Sequence, residues 1–336
     1  MADHRFLQRR RQVLQHAALA ATGLIGHGAY ARGAGAEPFP RRPVTIVVPG
    51  PAGGSGDIVA RLLARELGDA WSQSVVVDNR PGAGGIIGVQ AALAAPRDGH
   101  TLLMGNTGPN AINYSLYARL PYGPADLQPL NNVLAFPNVL IVRPGAPWKS
   151  VEELVAEGRR SERGLSFASS GIGQTTHLSG ELFKLRTGIR ATHVPYKGAN
   201  LGLQSVIAGE TDFMFDNFPT SESHLKGGTV RGLALTSARR ITQAPELPTM
   251  AEAGFPDMEI TGWFALFAPA GVPAARTAAV VDTLDTILRT PAFADRLRQL
   301  GGQSGVSTPA EFAGFVERER VKWARAVEAS GARENF

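Results

Sequence analysis

Val44-Thr45-Ile46-Val47-Val48-Pro49-Gly50-Pro51-Ala52-Gly53-Gly54-Ser55-Gly56-Asp57 is the stretch on which the fold turns. A β-branched strand, Val44 to Val48, ends in a loop with four glycines among residues 50–57, and a helix begins near Ile58. Glycine lets the backbone take positive φ and leaves no side chain between the loop and a ligand. Amide N–H groups at the helix start, with the helix dipole behind them, make an anion site. Taken alone, the stretch admits phosphate, carboxylate or a βα turn that binds nothing.

Outward from this loop, strand and helix signals alternate, which predicts parallel sheets. The helix carries Ile58, Val59, Leu62, Leu63 and Leu67 at helical spacing. Strand Val75–Val77 leads to a second glycine cluster, Gly82 to Gly88, which opens another helix, and strand Thr101–Met104 ends at Gly105-Asn106-Thr107-Gly108. Pro121 to Pro129 reads as a loop, and two apolar runs, Val133–Phe136 and Val139–Val142, then precede a capping box at Ser150-Val151-Glu152-Glu153. A second series then begins with strand Leu165–Ala168, a helix from about His177, and strands at Thr192–Val194, Phe213–Phe215 and Val230–Leu235. Thr249-Met250-Ala251-Glu252 reads as the cap of a short helix, Ile260 to Phe267 as a further strand, and the remainder as helical. The layout predicts two domains joined by crossing strands near 133–142 and 260–267, with the helical tail packed on the first domain. The boundaries are 37–142 and 261–336 for domain 1 and 143–260 for domain 2.

The formal charge of +5 invites a polyanion partner, but its distribution does not support one. Residues 1–36 hold five basic residues (Arg5, Arg9, Arg10, Arg11, Arg32) and one acid, Asp3. Taken from 34 basic and 29 acidic residues, they leave 29 and 28, so the body is nearly neutral and no nucleic acid is expected. The same segment predicts an export signal over 1–36. Arg9-Arg10-Arg11 precedes a short apolar run, Ala17 to Ile25, with cleavage expected after Ala31 or Ala36. Arg10-Arg11-Gln12-Val13-Leu14-Gln15 fits a twin-arginine signal except for Val13. The absence of cysteine excludes disulfides and thiolate metal sites.

Ser169-Ser170-Gly171-Ile172-Gly173-Gln174-Thr175-Thr176 matches the opening loop in position, between a strand and a helix of the second series. Two anion-ready loops at strand carboxyl ends predict a ligand clamped between domains. Tyr196, Lys197, Asp216, Asn106 and Thr107 also follow strands. Enzyme motifs are missing. Gly53-Gly54-Ser55-Gly56-Asp57 has aspartate where a nucleophile elbow needs glycine, and no G-x-x-x-x-G-K-[ST] loop occurs. His177 and Glu181 lie one turn apart, but without a third ligand at a recognisable spacing a capped helix accounts for them. A dinucleotide fold remains the competitor, with Asp78 about twenty residues after the loop, although neither glycine cluster gives G-x-G-x-x-G.

Longer stretches carry a family resemblance. These are Arg42 to Asp57, Val75-Val76-Val77-Asp78-Asn79-Arg80-Pro81-Gly82-Ala83-Gly84-Gly85, Asp98-Gly99-His100-Thr101-Leu102-Leu103 and Val194-Pro195-Tyr196-Lys197-Gly198. Gly209 to Asp216, Leu247 to Gly254, Phe267 to Pro273 and Thr308-Pro309-Ala310-Glu311-Phe312 continue it in order. The chain resembles the Bug family of periplasmic solute-binding receptors, relatives of the substrate-binding component of tripartite tricarboxylate transporters. The resemblance implies an α/β fold of the two-domain periplasmic-binding-protein type II (Venus flytrap) kind, with two crossing hinge strands. It implies a soluble periplasmic receptor, likewise monomeric, that is not an enzyme and carries no cofactor or metal. The ligand would be a small di- or tricarboxylate, acidic amino acid or aromatic acid, delivered to a membrane permease or sensor. The implied ligand-binding residues are Pro51, Ala52, Gly53, Gly54, Asp57 and Thr107 on one side. Ser169, Ser170, Gly171, Gly173, Gln174, Thr175, Tyr196 and Asp216 are on the other. Departures from the family pattern include Gly50, where a bulky residue is common, His100, and Leu201-Gly202.

Overall fold

In a computed structural model, residues 39–333 are described, and the export segment expected over 1–36 lies outside them. β1 (Val44–Val48) is buried along nearly its whole length, as a central parallel strand must be. α1 (Ser55–Trp71) starts three residues before Ile58 and buries Val59, Leu63 and Leu67 against the sheet. β2 (Val75–Asn79), α2 (Ile86–Leu93) and β3 (Thr101–Asn106) follow, with both β2 and β3 parallel to β1. A wide turn over Gly108–Ile112 leads into the one-turn α3 (Asn113–Leu116).

The second lobe repeats the plan. α4 (Val151–Arg160) is capped by Ser150, whose Oγ accepts from Glu153 N at 3.2 Å. Then come β5 (Leu165–Ser169), α5 (Thr175–Thr187), β6 (Ala191–Pro195), α6 (Ala199–Ala208), β7 (Phe213–Asn217), α7 (Phe218–Lys226) and β8 (Arg231–Leu235). The strand orders β2-β1-β3 and β6-β5-β7 are the same arrangement built twice. In each lobe the chain steps to one side of its first strand and then crosses to the other. The loop after that first strand therefore sits at a topological switch point, where open α/β sheets leave a crevice.

Between the lobes runs β4 (Leu127–Val142), one strand where the sequence predicts a loop and two apolar runs. Bulges near Pro129 and Asn132 let it absorb residues that break the apolar pattern. Its first part pairs with β9 (Thr261–Pro269) and its last five residues with β7. At the junction, Asn138 N donates to Thr236 Oγ1 (2.8 Å), and that hydroxyl donates to Ile260 O (2.6 Å). Both lobe connections are thus tied at one point.

The helix expected at Thr249 does not form. The capping bonds are present, Thr249 N to Glu252 Oε2 (2.7 Å) and Glu252 N to Thr249 Oγ1 (3.1 Å). Gly254 then turns at φ +91° and Pro256 follows, so the chain leaves after one turn. The C-terminal segment comprises α8 (Ala274–Arg289), α9 (Pro291–Gln299), β10 (Gln303–Gly305) and α10 (Pro309–Ser330). α10 packs on the 108–116 segment and β4, and also on α5 of the second lobe. Glu319 on α10 is buried and accepts from the indole N–H of Trp263 (3.1 Å) and of Trp323 (3.0 Å), fixing the helix to β9. Among the described residues no helix is long and apolar enough to cross a membrane.

Candidate functional site

The two glycine loops bound one cavity of about 550 Å³ between the lobes. From the first lobe come Gly50, Pro51 and residues 54–57, the glycine turn at 82–85, Asn106 and Tyr117. The second lobe contributes residues 170–172, Gln174, residues 195–199 and Asn217, and Phe264 of β9 closes the floor.

The first loop ends at α1, whose N-cap Gly54 has extended backbone and no side-chain cap. The first amides of α1 therefore have no intrahelical acceptor and face the cavity end of the helix. Asp57, itself at the cavity wall, braces this loop. Its carboxylate accepts from Gly53 N at 2.9 Å and lies 2.9 Å from Arg61 Nε. Burial pushes the Asp57 carboxyl up, but the bonds from Arg61 and Gly53 outweigh it and hold it below the usual range. A paired carboxylate is a brace for an anion-binding loop, since a second negative charge against it would be repelled.

The second loop is braced by neutral imidazoles. Ser169 Oγ and His193 Nε2 share a hydrogen bond of 2.7 Å, and the same Oγ accepts from Gly171 N at 3.2 Å. Gly173 N donates to His177 Nδ1 at 3.4 Å. The two rings stack with centroids 4.1 Å apart and 15° between planes, and Phe167 stacks on the far side of His193. Burial lowers both groups, with Lys184 adding to it for His177 and both His177 and Lys184 adding to it for His193. His177 falls to about 4 and His193 to about 3. Ser170 N also donates to Thr176 Oγ1 (3.0 Å).

His193 joins His177 and Glu181 to make a group whose ligand atoms lie within 4.8 Å, the third member that sequence spacing did not supply. The geometry suits a brace better than a metal. Lone pairs of stacked rings lie in parallel planes and do not converge, and Lys184 Nζ holds Glu181 at 2.8 Å.

Contacts cross the cleft directly. Gln174 Nε2 donates to Gly84 O at 3.2 Å, and the hydroxyls of Ser55 and Thr220 hydrogen-bond. Gly198 packs so near Pro51 that a Cβ there would lie 2.4 Å from Pro51 Cγ.

Of the residues singled out from sequence, Pro51, Gly54, Asp57, Ser170, Gly171, Gln174 and Tyr196 line the cavity. Ala52 and Gly53 are exposed and do not line the cavity, and a Cβ on Gly53 would come within 3.0 Å of Asn200 Nδ2 on the second lobe. Ser169, Gly173 and Thr175 lie one layer behind. Thr175 Oγ1 donates to Asn217 Oδ1 at 3.3 Å. Thr107 is buried, its Oγ1 accepting from Trp263 N at 3.0 Å. Asp216 is fully buried with Ser221 Oγ donating to it at 2.6 Å, and it does not line the cavity. Burial pushes its carboxyl up to about 7 despite the bonds from Ser221 and from Asn217 N. Its strand neighbour Asn217 faces the cavity instead. Alternation along β7 is the signal that separates them, because successive side chains point to opposite faces. Phe264, Tyr117 and the turn at 82–85 carried no such signal, since only the sheet order brings them to the loops.

Two βα lobes joined by crossing strands around one cavity define the class of two-domain solute-binding receptors. Residues 59–332 match the family described as "Tripartite tricarboxylate transporter family receptor", and the chain belongs to this family. It is a family of periplasmic solute-binding receptors, not of enzymes. The chain is 36% identical to "Protein BugT" of Bordetella pertussis over 300 residues, covering 89% of this chain and 92% of that one. It is 35% identical over 320 residues to a protein of Pseudomonas sp. in the tcbD-tcbE intergenic region, covering 95% and 94%. An R. palustris protein solved with adipate matches with a TM-score of 0.86 and 36% identity, over 89% of this chain and 100% of that one. MatC from Rhodopseudomonas palustris, solved with bound malate, matches with a TM-score of 0.80 and 29% identity, over 86% and 100%.

Proposed function

We propose that this protein is a periplasmic receptor that captures a small carboxylate in the cleft between its lobes. Uptake through a membrane permease, or sensing, follows capture. The observation that carries the reading is one cavity bounded by two loop-to-helix junctions, one from each lobe. First-turn amides of α1 and the Ile172 amide of the second loop receive the carboxylate, with the Nδ2 donors of Asn106 and Asn217 beside them. Each charge-assisted bond contributes roughly 1.5–3 kcal/mol. Three or four of these, less the cost of ordering, reach the roughly −8 kcal/mol of micromolar binding. Adipate and malate in related structures support this ligand class.

The lobes hinge at the Asn138–Thr236–Ile260 junction, so residues 37–142 with 261–336, and residues 143–260, move as the two domains. The chain is exported by its arginine-rich leader, which is removed after Ala31 or Ala36, and acts as a monomer. Titration of the purified protein with mono-, di- and tricarboxylates, read by thermal shift and calorimetry, tests the reading. Saturable stabilisation by at least one acid, and none by its amide, is expected. A flat response to every acid in the panel sinks it.

A further inference from the structure

Gly50 is the one cavity glycine that neither its backbone nor its neighbours require. Eight glycines line the cavity: Gly50, Gly54, Gly56, Gly82, Gly84, Gly85, Gly171 and Gly198. Five of them have left-handed or otherwise positive φ, Gly56 would press a Cβ against Phe264 at 3.1 Å, and Gly54 would meet Pro51 O at 3.3 Å. A Cβ on Gly50 would meet nothing within 4 Å, and its φ lies outside the glycine region. Its carbonyl accepts from Asn79 Nδ2 at 3.2 Å, so the peptide is held whatever the side chain. The missing side chain is therefore space, on the cavity wall.

The surroundings of that space decide what fits it. Val48, Pro51, Pro81, Ile172, Ala199 and Phe264 make the walls apolar, and Tyr117 and Tyr196 add aromatic rings. Among lining residues Lys197 is the one cation, and the one anion, Asp57, is already tied to Arg61. With one cation among the lining residues, the second and third charges of a tricarboxylate would be left without partners. A cleft of about 550 Å³ falls in the range of small-molecule sites and leaves room for a ring beside the carboxylate.

We infer that the preferred ligand is an aromatic monocarboxylate whose ring occupies the space left at Gly50, and that residue 50 sets this preference. The inference rests on the carboxylate-receptor reading above and narrows it. The carboxylate lies at the loop amides, and the ring is stacked among prolines and aromatic side chains, which favour flat apolar faces.

Calorimetry of the wild type against benzoate, cinnamate, malate and citrate, repeated on Gly50→Phe and Gly50→Leu, tests it. The expected result is tenfold or tighter binding of an aromatic acid over malate and citrate. Both variants should lose at least tenfold for the aromatic acids while any malate binding stays within threefold. Melting of the ligand-free variants checks that each folds, and the leucine variant serves if phenylalanine does not. Tighter binding of malate or citrate than of either aromatic acid overturns the inference while leaving the receptor reading intact. Unchanged aromatic affinity in both variants also overturns it. Failure of every carboxylate to bind overturns the receptor reading itself.

Discussion

The two loops that close on the cavity have the same plan and opposite supports. Residues 50–57 are braced by charge, with Asp57 accepting from Gly53 N and paired to a solvent-facing Arg61. Residues 169–175 are braced by uncharged groups, the stacked imidazoles of His177 and His193 under Ser169, Gly171 and Gly173. The first support needs a carboxylate to stay ionised, and the second needs two histidines to stay neutral. One binding site thus rests on two braces that respond to acid at different points.

The largest expected effect is the order in which they fail. Both histidines lie below the ordinary value of about 6.5, so the unfolded chain takes up those protons first. Their contribution is whole above about pH 6.5 and is lost as the pH falls toward 4 and 3. The groups that face the pair are Glu181, with Oε1 4.0 Å from His177 Nε2, and Lys184, which already holds that carboxylate at 2.8 Å. Asp57, held below its ordinary 3.8, keeps its contribution until the pH drops beneath that value. Amide hydrogen exchange across pH 7 to 3.5 should show residues 169–175 losing protection while residues 50–57 retain it. Simultaneous loss would break the contrast.

Next in size is His193→Ala, which removes the partner of Ser169 Oγ and half of the ring stack. A cost of about 2 kcal/mol or more in denaturant unfolding is expected, with at least tenfold weaker ligand binding. His193→Gln, which retains a polar partner, should recover part of the affinity. A smaller effect is expected from Asp57→Asn, which keeps the bond to Gly53 N and gives up the ion pair with an exposed arginine. About 1 kcal/mol or less is expected, shrinking further in high salt. Smallest is Ala52→Ser, at an exposed position of the first loop that does not line the cavity, expected within about 0.5 kcal/mol and without change in affinity. A large loss of binding there would place the ligand outside the cavity.

Legibility followed the range of the interactions. The βα alternation, the glycine loops and most strand cores could be read because each is set by residues close in sequence. Thr249 to Glu252 shows the limit: the capping bonds formed as read, yet Gly254 and Pro256 ended the helix that the box announced. β4 was read as a loop and two runs because Pro129, Asn131 and Asn132 interrupt its apolar pattern. Pairing with β9 on one side, and bulging to keep register, supplied what local propensity did not.

Asp216 and His193 mark the same boundary inside the site. From sequence, Asp216 stood out as a charge after a strand, yet the strand's face puts it in the core and turns Asn217 to the cavity. His193 carried no signal at all, since its partners His177 and Ser169 lie 16 and 24 residues away in the chain. By itself the sequence determined two glycine loops, each at the start of a helix after a parallel strand, because strand, turn and helix are local consequences of residue type. Only the tertiary structure decided that the loops face one cavity, which of their residues reach it and what holds each in place. Those depend on strand order and side-chain face, which are settled when distant segments exclude water together.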